Sequence, residues 1–337
     1  MKYRTLGKTG FQVSEIGFGC GNVGGLMVRG SLEERVDAVS HALKLGINYF
    51  DTAPQYGNGR SETNLGEVLR ELRPDVRVAT KVGIAASDLK DLFGVVQSSV
   101  ETSLKRLGRE RLDVLQLHTP VSSEAEKDAP GWSLGLADVL RSGGVADTFE
   151  RMRSQKLVDY LGFTGLGGTS ALRQVVDSGR FDVVQAYYNL LNPTAGMDAP
   201  GFAGQDFHKL IDAAAQQRMG VVVIRVMAGG ALGGESARIG HASPTVGGTL
   251  VPRSEYDEDE RRAAKLSFLL KGGIRSVPQA AVVFALGQPN ISTVLVGFSD
   301  RRQIDEAVAC SGEERIAPSE VRRLMELWAS DFRDTRT

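Results

Sequence analysis

The sequence has 337 residues and a formal net charge of −1, with 42% hydrophobic and 24% charged residues. This composition is typical of a globular protein, and the near-zero charge gives no basis for binding nucleic acid. No apolar run is long enough to span a membrane, and the opening residues lack the apolar core of a signal peptide. Two cysteines, Cys20 and Cys310, indicate neither a disulfide framework nor a metal site, so we expect a cytoplasmic protein.

The chain opens with two short extended pieces around residues 7–10, which predict a β-hairpin. Strand and helix patterns then alternate to the end of the chain. The predicted strands are Glu15–Gly19, Asn48–Thr52, Arg77–Val82, Leu112–His118, Val158–Thr164, Val183–Tyr188, Gly220–Met227 and Thr293–Gly297. The predicted helices are Ser31–Leu45, Glu62–Leu72, Leu89–Leu107, most of Leu134–Gln155, Ser170–Ser178, Phe207–Arg218, Asp257–Leu270, Gln279–Leu286, Arg301–Ala309 and Ser319–Phe332.

Eight successive strand–helix units favour a closed (β/α)8 barrel of the α/β class over an open doubly wound sheet. We expect the whole chain, residues 1–337, to form this one domain. Two long connections follow strands, at Thr119–Trp132 and Ala228–Glu255. They should lie at the C-terminal face of the barrel, where barrel enzymes keep their active sites, and Trp132 is a candidate substrate contact.

The segment Gly19–Gly24 matches the glycine pattern of Rossmann dinucleotide-binding folds. That fold requires a helix to open at the last glycine, whereas the predicted helix begins only near Ser31. The pattern therefore favours a flexible loop after the first barrel strand, whose glycines could still touch a cofactor.

Polar residues end three of the predicted strands, namely Asp51, Lys81 and His118. Each alone has an ordinary explanation: a helix cap, a solvated strand end or a core histidine. Because a barrel brings the C-terminal ends of its strands to one mouth, the three should converge there. Tyr56 lies in the loop after Asp51, close to the same mouth, although it could also be an ordinary packing residue.

This set suits the reduction of a carbonyl group by hydride transfer, which needs a proton donor for the developing alkoxide. A free tyrosine has a pKa of about 10, and a neighbouring lysine cation lowers it. Asp51 would pair with Lys81, and His118 would orient the substrate oxygen. The substrate-binding candidates are thus Tyr56 and His118, together with Trp132.

The sequence also resembles the aldo-keto reductase superfamily along most of its length. The matching motifs are Asp51-Thr52-Ala53-x-x-Tyr56-Gly57, Asn64-x-Gly66-Glu67, Ala79-Thr80-Lys81, Leu117-His118-x-Pro120 and the opening Tyr3-Arg4-x-Leu6-Gly7. The resemblance implies a barrel that binds NADPH, or less often NADH. It also implies that Asp51, Tyr56, Lys81 and His118 form the catalytic tetrad.

The resemblance further assigns cofactor contacts, and it favours NADP because Arg301 and Arg302 could bind a 2′-phosphate at a helix start. The pocket departs from the family pattern: Gly165 replaces an asparagine, no aromatic residue stands at residues 225–227, and Ala307 replaces an asparagine. The residues predicted to contact the cofactor are Gly19, Cys20, Gly21, Asp51, Thr164, Gly165, Gln185, Arg225, Val226, Met227, Ala228, Gly229, Gly297, Ser299, Arg301, Arg302, Gln303 and Glu306.

Two other function classes stay open at this stage. Lys81 could form a Schiff base in a lyase, although Asp51 nearby should keep the amine protonated. The chain could also be a regulatory or partner subunit that keeps the cofactor with little turnover. A metal hydrolase is not indicated, because His41, His208 and His241 lack ligand spacing.

Overall fold

The computed structural model describes residues 1–123, 132–234, 240–243, 250–251, 254–313 and 315–333. Its centre is a closed barrel of eight parallel strands, which confirms the predicted fold class. In barrel order these strands are β3 (Ile16–Gly19), β4 (Tyr49–Asp51), β5 (Arg77–Val82), β6 (Leu112–Leu117), β9 (Val158–Gly165), β10 (Val183–Tyr187), β11 (Gly220–Ile224) and β12 (Thr293–Gly297).

The predicted N-terminal hairpin is also confirmed, with β1 (Tyr3–Thr5) antiparallel to β2 (Gln12–Ser14). It closes the N-terminal end of the barrel, because its residues Leu6 and Val13 pack with apolar side chains from the strands in one fully buried cluster. The strand residues of this interior cluster are Tyr49, Ala79, Val114, Val183, Val222 and Leu295. The barrel interior is therefore a packed apolar core that can open only at its C-terminal end.

Helices surround the barrel, and a second, larger apolar core fills the space between them and the strands. The helices are α1 (Leu26–Arg29), α2 (Leu32–Lys44), α3 (Arg60–Leu72), α4 (Leu92–Leu107), α5 (Leu136–Leu140), α6 (Val145–Ser154), α7 (Thr169–Asp177), α8 (Leu210–Gln216), α9 (Tyr256–Ala263), α10 (Val277–Leu286), α11 (Arg301–Val308) and α12 (Pro318–Ala329). Among the described residues, no helix is long and apolar enough to cross a membrane.

Local sequence signals explain several of the helix boundaries. The predicted Ser31 cap is present as a full capping box, since Ser31 Oγ accepts from Glu34 N at 3.2 Å and Glu34 Oε2 accepts from Ser31 N at 2.8 Å. Helix α4 ends where predicted, at Gly108, whose φ of 65° favours glycine.

Two predictions of local structure were wrong, and one short helix was not predicted. Helix α1 begins after Gly25, in the segment expected to be a flexible loop, while α2 begins at the predicted Ser31 cap. The helix predicted within Leu134–Gln155 is divided into α5 and α6, because the chain turns at Gly143, which has a φ of 72°. The strand predicted to reach Met227 ends at Ile224, because Arg225 takes a left-handed φ of 58°.

The two long connections lie partly outside the described residues. Where the first is described, it forms a short parallel pair of β7 (Val121–Ser122) and β8 (Leu134–Gly135) directly after β6. The second begins with a 3₁₀ turn at Ala228–Gly230, directly after the end of β11. Both therefore start at the C-terminal face of the barrel.

A buried carboxylate ties α3 to the barrel. Glu62 is fully buried, and it accepts from Thr80 Oγ1 at 2.6 Å and from Arg106 Nη1 at 3.0 Å. Thr80 lies on β5, so this contact joins the outer face of that strand to α3 and α4. Its loss would leave polar groups unpaired inside the protein.

We expect Glu62→Ala to lower the free energy of unfolding by roughly 3 kcal/mol, because it leaves the buried Thr80 hydroxyl and the half-buried Arg106 guanidinium without a carboxylate. Urea titration followed by circular dichroism would measure the change. Glu33→Ala, which removes an exposed carboxylate from the first turn of α2, is the control and should change stability little. Equal effects of the two substitutions would show that the buried contact does not stabilise the fold.

Candidate active site

Polar side chains form one layer at the C-terminal end of the barrel interior. Because side chains alternate along a strand, the residue two positions beyond an interior residue also points inward. That step leads from the apolar interior cluster to polar residues on four strands: from Tyr49 to Asp51, Ala79 to Lys81, Val114 to Gln116 and Val183 to Gln185. We call Asp51, Lys81, Gln116 and Gln185 the polar layer.

An ion pair between Lys81 and Asp51 lies at the centre of the polar layer. Lys81 Nζ donates to Asp51 Oδ1 and, at 2.9 Å, to the carbonyl oxygen of Thr52. Lys81 is 1% exposed, and this burial favours the neutral amine. The charges of Asp51 and Tyr56 outweigh the burial and raise the pKa of Lys81 above its ordinary value, so the side chain is an ammonium.

The second oxygen of Asp51 accepts two side-chain amides. Gln116 Nε2 donates to Oδ2 at 3.0 Å and Gln185 Nε2 donates to it at 2.7 Å. A buried carboxylate needs such hydrogen bonds in addition to its cation. The amides therefore fix the position of Asp51 and, through it, of Lys81. Gln185, predicted to contact the cofactor, uses its NH2 group on Asp51.

Tyr56 lies above the polar layer, in the loop after β4. Its hydroxyl oxygen is 3.3 Å from Lys81 Nζ, and the same ammonium lies 4.9 Å from the centre of its ring. Tyr56 is half-buried, whereas Lys81 beneath it is fully buried. The Tyr56 hydroxyl is thus the group at the barrel mouth that contacts the buried Lys81 ammonium.

His118 follows directly after β6 and packs edge-on against Tyr56, with ring centres 5.8 Å apart. Its Nδ1 lies 3.0 Å from Gln55 Oε1, which leaves Nε2 for a ligand. Burial, and then the charge of Lys81, lower the pKa of His118 from 6.5 to about 3. The imidazole is therefore neutral at physiological pH.

A groove with a cavity volume of about 170 Å³ adjoins the mouth, between the segment after β11 and the start of α11. Glycines in its lining allow a ligand to approach the backbone closely. Predicted cofactor residues that line the groove are Arg225, Val226, Met227, Gly229, Gly297, Ser299, Gln303 and Glu306.

Other residues predicted to contact the cofactor lie beside the polar layer or next to the groove. Gly19 ends β3, Cys20 N donates to Asp51 O at 2.9 Å, and Gly21 lies against the Tyr56 ring. Ala228 belongs to the turn whose neighbours line the groove.

The end of β9 supplies Thr164 and Gly165, next to Gln185 and Ala186 on β10. Thr164 is 2% exposed, and its Oγ1 has no hydrogen-bond partner in the part of the chain that the structure describes. A buried hydroxyl of this kind is suited to a polar group of a ligand. Gly165 has no room for a side chain, because a Cβ atom there would lie 2.7 Å from Gln185 O.

The two arginines predicted to bind a phosphate are not part of the groove lining as described. Arg301 pairs with Asp37 at 3.0 Å and Arg302 pairs with Asp300 at 3.0 Å. Trp132, the third predicted substrate residue, is described with its side chain 57% exposed. Its contact with substrate stays a prediction, since residues 124–131 lie outside the described part.

Sequence reasoning missed Gln55 and Gln116 at the mouth and Gln279 in the groove. Gln116 had a signal, because it is a polar residue inside an otherwise apolar strand and lies two positions after Val114. Gln279 had none, whereas Gly24, which also lines the groove, belongs to the glycine-rich loop that was expected to be able to touch a cofactor. Among the described residues, no three histidine, cysteine, aspartate or glutamate side chains cluster as metal ligands would.

Two dehydrogenases are similar to the chain along most of its length. The chain is similar to L-galactose dehydrogenase of Arabidopsis thaliana, at 28% identity over 93% of this chain and 89% of the relative. It is similar to D-threo-aldose 1-dehydrogenase of a Pseudomonas species, at 26% identity over 88% and 89%.

Among solved structures, the holo form of the aldo-keto reductase AKR11C1 from Bacillus halodurans has the same fold. Its TM-score is 0.69 at 23% identity, covering 98% of this chain and 96% of that one. The model of the Aldo/keto reductase family matches residues 15–329. The chain therefore belongs to the aldo/keto reductase family.

Proposed function

We propose that this protein transfers a hydride between a nicotinamide dinucleotide and the carbonyl group of a small aldehyde, ketone or sugar, with Tyr56 as general acid and base. The observation that carries the proposal is the 3.3 Å contact between the Tyr56 hydroxyl and the buried Lys81 ammonium. An ammonium at this distance can stabilise the negative charge that develops on the phenol oxygen during proton transfer.

The remaining side chains have distinct parts in this mechanism. Asp51 holds Lys81 beneath Tyr56, with its own position fixed by Gln116 and Gln185. His118 is neutral, and while its Nδ1–H donates to Gln55 Oε1, its Nε2 can accept a hydrogen bond from the hydroxyl of an alcohol substrate or product. Tyr56 donates a proton to that oxygen in reduction and removes it in oxidation.

The groove would hold the dinucleotide, and Thr164 Oγ1 would bind a polar group of its nicotinamide end. When bound, the dinucleotide supplies or accepts the hydride. The catalytic groups face only this end, which NADH and NADPH share, so the proposed mechanism holds for either.

A hydroxylated substrate such as an aldose is supported by the names of two relatives, an L-galactose dehydrogenase and a D-threo-aldose 1-dehydrogenase. Gln55 adds a local argument, because its exposed amide lies beside His118 at the mouth and can bond a substrate hydroxyl. A substrate screen with both dinucleotides, following absorbance at the nicotinamide band, would identify the preferred carbonyl.

The Schiff-base alternative has less support. Lys81 would have to lose its proton to attack a carbonyl, whereas Asp51 and Tyr56 raise its pKa. Its Nζ also already has Asp51, Thr52 and Tyr56 as neighbours. Borohydride trapping of a substrate adduct on Lys81 would contradict the hydride-transfer proposal.

Tyr56→Phe should lower kcat by at least about a hundredfold while the dinucleotide still binds, because it removes the proton donor and little else. Steady-state turnover and dinucleotide fluorescence would measure the two properties. Tyr160→Phe is a matched control, since the Tyr160 hydroxyl bonds Thr9 O beside the hairpin. Undiminished turnover in Tyr56→Phe would refute the role of Tyr56, whereas wild-type protein that binds the dinucleotide but turns over no carbonyl would favour the cofactor-binding regulatory subunit.

His118 should stay neutral down to about pH 4, because its pKa of about 3 lies well below the ordinary 6.5. The unfolded chain would bind that proton near pH 6.5, so stability should fall through this group as pH drops from 6.5 towards 3. NMR titration of isotopically labelled histidines would measure the pKa, with the His118→Asn spectrum used to assign the signal.

Lys81→Met removes a nearby cation and should raise the pKa of His118. The rise should be partial, because burial is the larger cause of the shift. A wild-type His118 that titrates near 6.5, or no change in Lys81→Met, would contradict this electrostatic picture.

A further inference from the structure

We infer that this protein binds NADH in preference to NADPH, because its own carboxylates already occupy the groups that would bind a 2′-phosphate. The inference rests on the proposed function, namely that a nicotinamide dinucleotide binds in the groove. It reverses the preference for NADP predicted from Arg301 and Arg302.

The first of these groups is the N-terminus of α11, at the edge of the groove. A helix N-terminus attracts anions through its free N–H groups and its dipole. Here Asp300 is the N-cap residue, and its Oδ1 accepts from Gln303 N at 3.1 Å. A negative charge fixed by the chain itself therefore occupies the place that a phosphate would take.

The second group is Arg302, whose Nη2 donates to the other oxygen of Asp300 at 3.0 Å. Its side chain is 81% exposed and is not part of the groove lining as described. Asp300 thus binds both the N-terminus of α11 and the guanidinium of Arg302, one of the two arginines predicted to bind a phosphate.

The third group is Arg301, the first residue of α11, whose guanidinium is bound by side chains of the neighbouring helix α2. Its Nη1 lies 3.0 and 3.2 Å from the two oxygens of Asp37, and its Nη2 lies 3.1 Å from His41 Nδ1. The other ring nitrogen of His41 is 2.6 Å from Asp305. A phosphate would have to displace Arg301 from this set of partners.

The groove lining adds a further carboxylate, Glu306, which accepts from Ser276 Oγ. Ser299 is also engaged, because Gln303 Oε1 accepts from its N at 2.8 Å and from its Oγ at 3.1 Å. Carboxylates can accept hydrogen bonds from ribose hydroxyls, as in NAD sites, but they repel a phosphate. The described lining at this end of the groove therefore suits an unphosphorylated ribose.

The test is a fluorescence titration of wild-type protein with NADH and with NADPH, without substrate. We expect the Kd for NADPH to be at least tenfold the Kd for NADH. The fragments ADP and adenosine 2′,5′-bisphosphate, used as competitors, should show the same order, since they report on the adenosine end alone.

Two substitutions test whether Asp300 and Asp37 cause the preference for NADH. Asp300→Asn removes the charge but keeps a good helix cap, and Asp37→Asn releases Arg301. The double variant should reduce the NADPH-to-NADH ratio of Kd values about tenfold or more, mainly through tighter NADPH. Asp177→Asn, which removes an exposed carboxylate paired with Arg173 on α7, controls for net charge and should leave the ratio unchanged.

Wild-type protein that binds NADPH as tightly as NADH would overturn the inference, while the proposed function would stand. A ratio unchanged in the double variant would overturn the assignment to Asp300 and Asp37. Binding of neither dinucleotide would instead refute the proposed function itself.

Discussion

The rest of the site depends on one constraint, that the ammonium of Lys81 is buried in the barrel interior next to its apolar core. Such a charge is stable only with a close counter-ion and hydrogen bonds to its remaining protons. Asp51 and the Thr52 carbonyl oxygen meet that need from the neighbouring strand, and Gln116 and Gln185 complete the shell of Asp51. Tyr56 is the side chain at the mouth that contacts this buried charge.

The fold shields the Lys81 charge from water at the N-terminal end of the barrel. The hairpin closes the N-terminal end of the barrel, and one apolar layer separates it from the polar layer. In surroundings of low polarity, the Lys81 charge acts strongly on its neighbours, which is why it helps to keep His118 neutral. The same closure leaves the C-terminal mouth as the direction from which a substrate can approach Tyr56.

Much of this arrangement could be predicted from the sequence, because period-2 spacing and chain order determine a parallel barrel. The strands Arg77–Val82 and Thr293–Gly297 were predicted with the bounds the structure has, and Asp51, Lys81, Tyr56 and His118 do meet. The same alternation, extended two residues beyond Val114, also predicts that Gln116 points into the barrel. The partner of Arg301 could not be predicted, because Asp37 is 264 positions away and meets it only through the packing of α2 on α11.

The two ends of the site are held by interactions of different strength, and this bears on how each can change. The polar layer is buried, so the loss of any member leaves an uncompensated charge or dipole inside the barrel. The ion pairs of Arg301 and Arg302 are exposed, and pairs of that kind are individually weak and screened by salt. Substitutions near α11 should therefore change the proposed choice of dinucleotide at little cost to the fold, whereas substitutions in the polar layer should destabilise the barrel. The proposed cofactor preference and the proposed chemistry are thus separable.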